Sequence, residues 1–231
     1  MLHGTGDYDA YIVFDMVPRE RVERMLPKDG KLELMPHREL PPSVKGFVRE
    51  GYHPVIYVFG IQKDVTPSRF RIFDWNYMEF ALSIPSVQWT SPDRALYRGP
   101  FFFTPRLYLN KTLPILLGYF YGLDKERGSM GRSNREYIVN DGKLNNPIIE
   151  GIFSPNGDMV SASHYPHLSA IVDDLNQPII AQYHLGSLRG PFVASTFTWH
   201  IKEASLQPAA ADILVFQDFL DGVVPDSSQA Q

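Results

Sequence analysis

Phe70-Arg71-Ile72-Phe73-Asp74-Trp75-Asn76-Tyr77-Met78-Glu79-Phe80-Ala81-Leu82-Ser83-Ile84 reads as one long strand, and its pattern decides the fold class. Alternation at period two puts Phe73, Trp75, Tyr77, Glu79 and Ala81 on one face and Asp74, Asn76, Met78, Phe80, Leu82 and Ile84 on the other. Both faces turn apolar toward the C-terminal half, so the strand is covered on both sides and is long enough to bend or to be shared between sheets. Glu79 is then a partly buried carboxyl among aromatic side chains, a setting suited to carrying protons. A strand-edge Glu paired with an Arg is the plainer reading of the same residue.

Outward from this strand the chain continues in short β segments. Strands are predicted at Tyr8 to Phe14, Val55 to Gly60, Ile179 to Leu185 and Phe192 to Ile201, with a short helix at Pro18 to Met25. Pro18 suits a first helical position and Pro27 stops the helix. Ile148 to Phe153 and Met159 to Ser163 flank Ser154-Pro155-Asn156-Gly157-Asp158, a hairpin signal. Ala209 to Leu220 reads as a strand running into a helix. The fold class is α+β, mostly antiparallel β with a few helices. No long linker, charge block or internal repeat divides the chain, which predicts a single domain over residues 1–224 and a disordered tail from Pro225 to Gln231.

Composition narrows the function. The chain has 231 residues, with 22 Lys and Arg against 26 Asp and Glu, for a net charge of −4. This acidic balance argues against a partner with a phosphate backbone, so no nucleic acid is expected. There is no cysteine, which removes thiolate nucleophiles, thiolate metal sites and disulfides. Aromatic residues make up 13%, and with 17 Gly and 19 Pro they suggest a β-rich protein around a lined cavity. The start of the chain lacks a basic segment followed by an apolar run, which predicts a cytoplasmic protein. Leu113 to Leu123 is the longest apolar stretch; Pro114 and Gly118 interrupt it and it is too short to span a bilayer, so it reads as core and no membrane association is expected. His164, His167, His184 and His200 lack the spacing and the matching carboxylates of a ligand set, so no metal is expected. Nucleotide-binding glycine motifs and a serine nucleophile elbow are also missing from the sequence, and no cofactor is expected.

A second chemically suggestive stretch is Gly118-Tyr119-Phe120-Tyr121-Gly122-Leu123-Asp124-Lys125-Glu126-Arg127-Gly128. If extended, it places Tyr119, Tyr121, Leu123 and Lys125 on one face. Desolvation beside two tyrosines lowers a lysine pKa and frees the amine as a nucleophile. The run Asp124 to Arg127 also reads as a charged surface turn.

Taken in order, these segments resemble the acetoacetate decarboxylase superfamily over most of the chain. Tyr11-Ile12-Val13-Phe14 followed by Val17 to Pro27 is similar to the family's opening strand, helix and Leu-Pro exit. Tyr77-Met78-Glu79 with Ile84-Pro85 resembles its Tyr-x-Glu strand, and Leu107-Tyr108-Leu109-Asn110 with Tyr121 to Lys125 resembles its Tyr-Leu-Asp and Gly-Phe-Pro-Lys stretch. Trp199 to Ala204 and Pro208 to Ile213 resemble its closing strand and helix.

The resemblance implies a closed, cone- or barrel-like β fold around an apolar pocket, in a homo-oligomer. It implies Lys125 as a Schiff-base nucleophile and Glu79 as the pocket carboxylate. Strand parity puts Trp75 and Tyr77 on the face of Glu79, and Tyr119 and Tyr121 on that of Lys125, as an expected substrate-binding cavity wall. The Lys mechanism in these decarboxylases is an established case of an activated amine. Aligned from Leu109 without a gap, Glu126 falls at the catalytic position; one deletion in the turn from Asn110 to Leu113 brings Lys125 there, and turns absorb length changes. Asp124 stands where the family has Pro, and Glu126 where many members have a second Lys. The family's further Glu and Arg fall near Val58 and Asp7. Loss of these polar groups implies a lyase for a more apolar keto acid or a polyketide-type intermediate of secondary metabolism. The alternatives are an aldolase, dehydratase or cyclase on the same fold, or a non-catalytic carrier of an apolar small molecule.

Overall fold

The computed structural model describes residues 4–67, 75–91, 97–120, 125–174, 176–185, 188–196, 200 and 203–216. In chain order, β1 (Gly4–Pro18), α1 (Arg19–Met25) and β2 (Leu32–Leu34) lead through α2 (Pro42–Lys45) to β3 (Tyr52–Pro67) and β4 (Trp75–Trp89). Then follow β5 (Phe101–Leu109), α3 (Thr112–Phe120), β6 (Glu126–Ser133), β7 (Glu136–Asp141), β8 (Pro147–Pro155) and β9 (Val160–Ser161). The rest comprises α4 (Pro166–Asp174), β10 (Ile179–Leu185), β11 (Leu188–Ser195), β12 (Ser205–Leu206) and β13 (Ala209–Val215).

One large sheet runs β1-β3-β4-β5-β6-β7-β8-β13, with β2 on the far end of β4 and the β10-β11 pair attached to β5. Its pairings are antiparallel except for β5 with β6 and β5 with β10. The sheet curls until β1 meets β6 and β8 through side chains. Tyr11 of β1 stacks on Phe153 of β8 with ring centroids 3.8 Å apart, and Arg132 of β6 donates to Asp9 of β1 at 2.9 Å. The result is a nearly closed barrel with few helices, the fold class expected from the sequence. Phe59, Phe80, Tyr137 and Phe153 pack in its interior with centroid separations of 5.0 to 5.4 Å about Phe59. The interior also holds Val55, Leu82, Ile84 and Val139, all fully buried.

The long strand is not shared between two sheets; it stays in the one large sheet and changes partners along its length. The first part of β4 lies between β3 and β5, and its last residues pair with β2 as well. The change of neighbours falls at irregular register between Leu82 and Val87, where Ser86 takes a φ of 56°. Phe70 to Asp74 and the tail from Pro225 lie outside the described residues.

Three sequence expectations need correction. The Ser154 to Asp158 turn does not close a hairpin: β8 pairs with β7 and β13, while β9 pairs with β12. Both edges of β8 are occupied, and the turn is instead tied to the segment before β13, where Asn156 N donates to Pro208 O at 3.0 Å. Second, Gly118 to Phe120, the start of the stretch read as extended, are helical, because residues 112–120 form α3. Pro114 sits in its first turn, where a missing N–H has no intrahelical partner to lose. Ile115 and Gly118 face inward while Leu113 and Leu116 are exposed, so this stretch is only partly core. Third, the strand expected at Phe192 starts at Leu188 and ends at Ser195. The strand from Ala209 reaches Val215, and residues from 217 onward, where the helix was expected, lie outside the described part. No described helix is long and apolar enough to cross a membrane.

Candidate active site

Register assembles the site. Across β1, β3, β4 and β5, one row aligns Ala10, Gly60, Glu79 and Leu109, and the neighbouring row aligns Tyr8, Gln62 and Tyr77. Tyr8, Gln62, Tyr77 and Glu79 share a face because they are separated by even steps along their strands. All four line a cavity of about 140 Å³, together with Ile12, Val58, Ala81 and Leu107 from the next row. Val172 of α4, Gln177 and Ile179 complete it from the other side.

Lys125 lines the same cavity. It precedes β6, whose Glu126 lies opposite Tyr108, so Lys125 stands at the level of Leu107 and on its face. Gly118 of α3 makes room for it: a Cβ at that position would lie 2.6 Å from Lys125 Cε, so the lysine stem crosses the helix where no side chain stands. Burial pushes the Lys125 amine below the ordinary lysine range, while the Glu79 carboxylate acts in the opposite direction. Both site residues singled out in the sequence therefore share one cavity and interact electrostatically.

Glu126 does not enter the cavity. Its Oε1 accepts from Arg106 Nη1 at 3.2 Å on the opposite face of the sheet. Asn110 closes the end of the β4-β5 ladder, accepting from Met78 N at 2.8 Å through Oδ1. Tyr77 lines the cavity, and burial followed by the charge of Glu79 holds its hydroxyl well above the ordinary tyrosine range. The side chains of Trp75 and Tyr119, and the whole of Tyr121 and Asp124, lie outside the described residues. Tyr119 is helical, so it does not share a strand face with Lys125 as the alternation predicted.

Three partners of Glu79 escaped the sequence reading. Tyr8 donates its hydroxyl to Glu79 Oε1 at 2.6 Å, and Gln62 Nε2 donates to the same oxygen at 3.4 Å. Burial first, then the charge and hydrogen bond of Glu79, keep the Tyr8 hydroxyl far above its ordinary pKa, so it remains a donor. Gly60 permits this contact, since a Cβ there would meet the Tyr8 ring. From the barrel interior, the Tyr137 hydroxyl lies 2.9 Å from Gly60 O and 3.1 Å from Glu79 O, pinning the strand pair behind the site. Parity along Tyr8 to Phe14 puts Tyr8 on one face, but only the β1-β3 register brings it to Glu79. Among the described residues there is no cluster of three potential metal-ligating side chains.

Neither a protein-family model nor a curated protein matches this sequence. Solved structures do match it in fold. The enduracididine biosynthesis enzyme MppR complexed with pyruvate superposes with a TM-score of 0.61 at 14% identity, over 96% of this chain and 79% of that one. Acetoacetate decarboxylase from Legionella pneumophila gives 0.58 at 15%, over 92% and 73% of the two chains. An acetoacetate decarboxylase-like enzyme from Sphingomonas wittichii RW1 gives 0.55 at 15%, over 97% and 81%. With the curled sheet and the strand order already described, these matches establish that the chain has the acetoacetate decarboxylase-like fold.

Proposed function

We propose that this protein is a cofactor-independent lyase that forms a Schiff base between Lys125 and an apolar carbonyl substrate. The observation that carries this reading is the shared cavity: a lysine driven toward its neutral form by burial faces a carboxylate held in place by Tyr8 and Gln62. The neutral amine attacks a ketone carbonyl, and loss of water leaves an iminium on Nζ. In a β-keto acid the bond to the carboxyl carbon then breaks, its electron pair moves to the iminium as an enamine forms, and CO₂ departs. Glu79 relays the proton to the enamine carbon, and water hydrolyses the resulting iminium to return the ketone and free Lys125.

A second reading keeps the Schiff base but replaces CO₂ loss with carbon–carbon condensation or dehydration. Lys125 is the one cation among the described lining residues, so a substrate carboxylate has no second positive group to meet. An MppR structure on the same fold holds the condensation product of pyruvate and imidazole 4-carboxaldehyde, which supports such chemistry for that protein. Product mass balance separates the two. CO₂ release from acetoacetate or a longer 3-oxo acid supports the lyase; condensation of pyruvate with an aldehyde without CO₂ release supports the alternative. Tight ligand binding with neither reaction and no imine would leave a carrier as the better account.

A further inference from the structure

The cavity is layered along β4. At one end are Glu79, Tyr77 and Gln62; two residues further along comes the apolar row of Val58, Ala81 and Leu107; two residues beyond that lies Ser83. Ser83 is 8% exposed, and its Oγ lies 3.0 Å from Thr104 Oγ1, which also lines the cavity. Strict alternation along β5 does not put Thr104 there. Leu107 faces the cavity, so Pro105 and Phe103 would follow it and Thr104 would face the barrel interior. The register shift opposite Leu82 to Ile84 places one extra residue in β5, turning Phe103 toward the core and Phe102 and Thr104 into the cavity. Bulges that re-aim a side chain recur beside functional sites.

From this we propose that Ser83 and Thr104 form a second recognition point, which selects substrates carrying an uncharged hydrogen-bonding group at the far end of an apolar chain. Resting on the Lys125 reading, it adds the substrate class. When one hydroxyl donates to the other, the acceptor keeps its own O–H for a ligand, and both keep acceptor capacity. Nearby Gln177 is held in place, its Oε1 accepting from Ser86 N and its Nε2 donating to Asp174 O, each at 2.9 Å. With no cation near the hydroxyl pair among the described lining residues, a hydroxyl or carbonyl fits this end and a carboxylate does not. Glu79 and Ser83 are separated by roughly 13 Å along the strand, so after allowing for side-chain lengths the bridging chain has about six to eight carbons.

The test compares octan-2-one with 8-hydroxyoctan-2-one by calorimetry on the wild-type chain and on a Ser83→Ala/Thr104→Val variant, with borohydride trapping in parallel. The wild type is expected to bind the hydroxy ketone about fivefold or more tightly than the plain ketone, and the variant to bind both equally. Because the readout is a ratio within each protein, a general loss of stability does not imitate it. Equal affinities in the wild type, a preference that survives in the variant, or binding of neither ketone would overturn the proposal. A preference lost in the variant without any trapped adduct would keep the recognition point and sink the Schiff base.

Discussion

The two faces of β4 put burial to opposite uses. On the interior face, Phe80, Leu82 and Ile84 are fully buried among other apolar side chains, and on the adjacent strand His53 shares that environment. His53 Nε2 donates to Pro85 O at 2.8 Å, while its Nδ1 has no partner among the described residues. Burial, reinforced by the nearby Arg19 charge, lowers its pKa to about 4 against the hydrogen bond to Pro85. On the other face, Lys125 is also driven toward neutrality by burial, but it opens onto a cavity and has Glu79 as a counter-charge. A base neutralised in a filled core has nothing to react with and makes the fold sensitive to acid. On the reading proposed above, the same effect beside a cavity and a hydrogen-bonded carboxylate is what frees the amine to attack a ligand.

The sharpest way to break this contrast is to alter neighbouring residues of β4. Phe80→Ala should cost about 3–5 kcal/mol in urea unfolding, the usual result of emptying a packed aromatic site. Glu79→Gln should change stability by no more than about 1 kcal/mol yet lower turnover roughly 10²- to 10⁴-fold, the range for losing an acid–base group. If Glu79→Gln unfolds the protein as readily as Phe80→Ala, the two faces do not differ in the way described.

Acid should act through the interior face. Unfolded His53 takes up its proton near 6.5, whereas folded His53 does so only near 4. Its contribution to stability is therefore fully present above about 6.5 and is lost as pH falls toward 4, by on the order of 3 kcal/mol. A His53→Gln variant whose urea midpoint falls as steeply between pH 7 and pH 4 as that of the wild type would contradict this.

Gly118→Ala probes the cavity face without touching a charged group. The added methyl collides with the Lys125 stem, so turnover and imine trapping should fall about 10²-fold, as for a misplaced reacting group. Unchanged trapping would show that the lysine does not depend on that close approach. The smallest effect is expected for Tyr137→Phe, which removes the hydroxyl between Gly60 O and Glu79 O and should cost about 1–2 kcal/mol of stability.

Much of this division was legible in the chain itself, because strand parity is local. Alternation from Tyr77 to Ile84 separates Glu79 from Phe80 and Leu82, and Lys125 follows from the order of short motifs. What parity leaves open is register. Tyr8 and Gln62 reach Glu79 only because β1, β3 and β4 pair as they do, over sequence separations of 71 and 17 residues. The bulge that turns Thr104 into the cavity has one mark, Pro105, a residue that a strand paired on both sides accepts mainly at bulges, but the mark does not say which side chains are re-aimed. Pro114 in a first helical turn suits the helix over residues 112–120, against the extended reading from Gly118 to Phe120. The apparent hairpin at Asn156-Gly157 shows the same limit, since turn chemistry does not reveal that both edges of β8 are already occupied.

The central claim is that Lys125 is the nucleophile. The most direct measurement is peptide mass spectrometry after borohydride reduction with acetoacetate, pyruvate or 8-hydroxyoctan-2-one. The account predicts a reduced imine on the peptide containing Lys125 with at least one of these and none in a folded Lys125→Met variant. An adduct on a different lysine, or turnover of any of them with no adduct and undiminished in Lys125→Met, would contradict it.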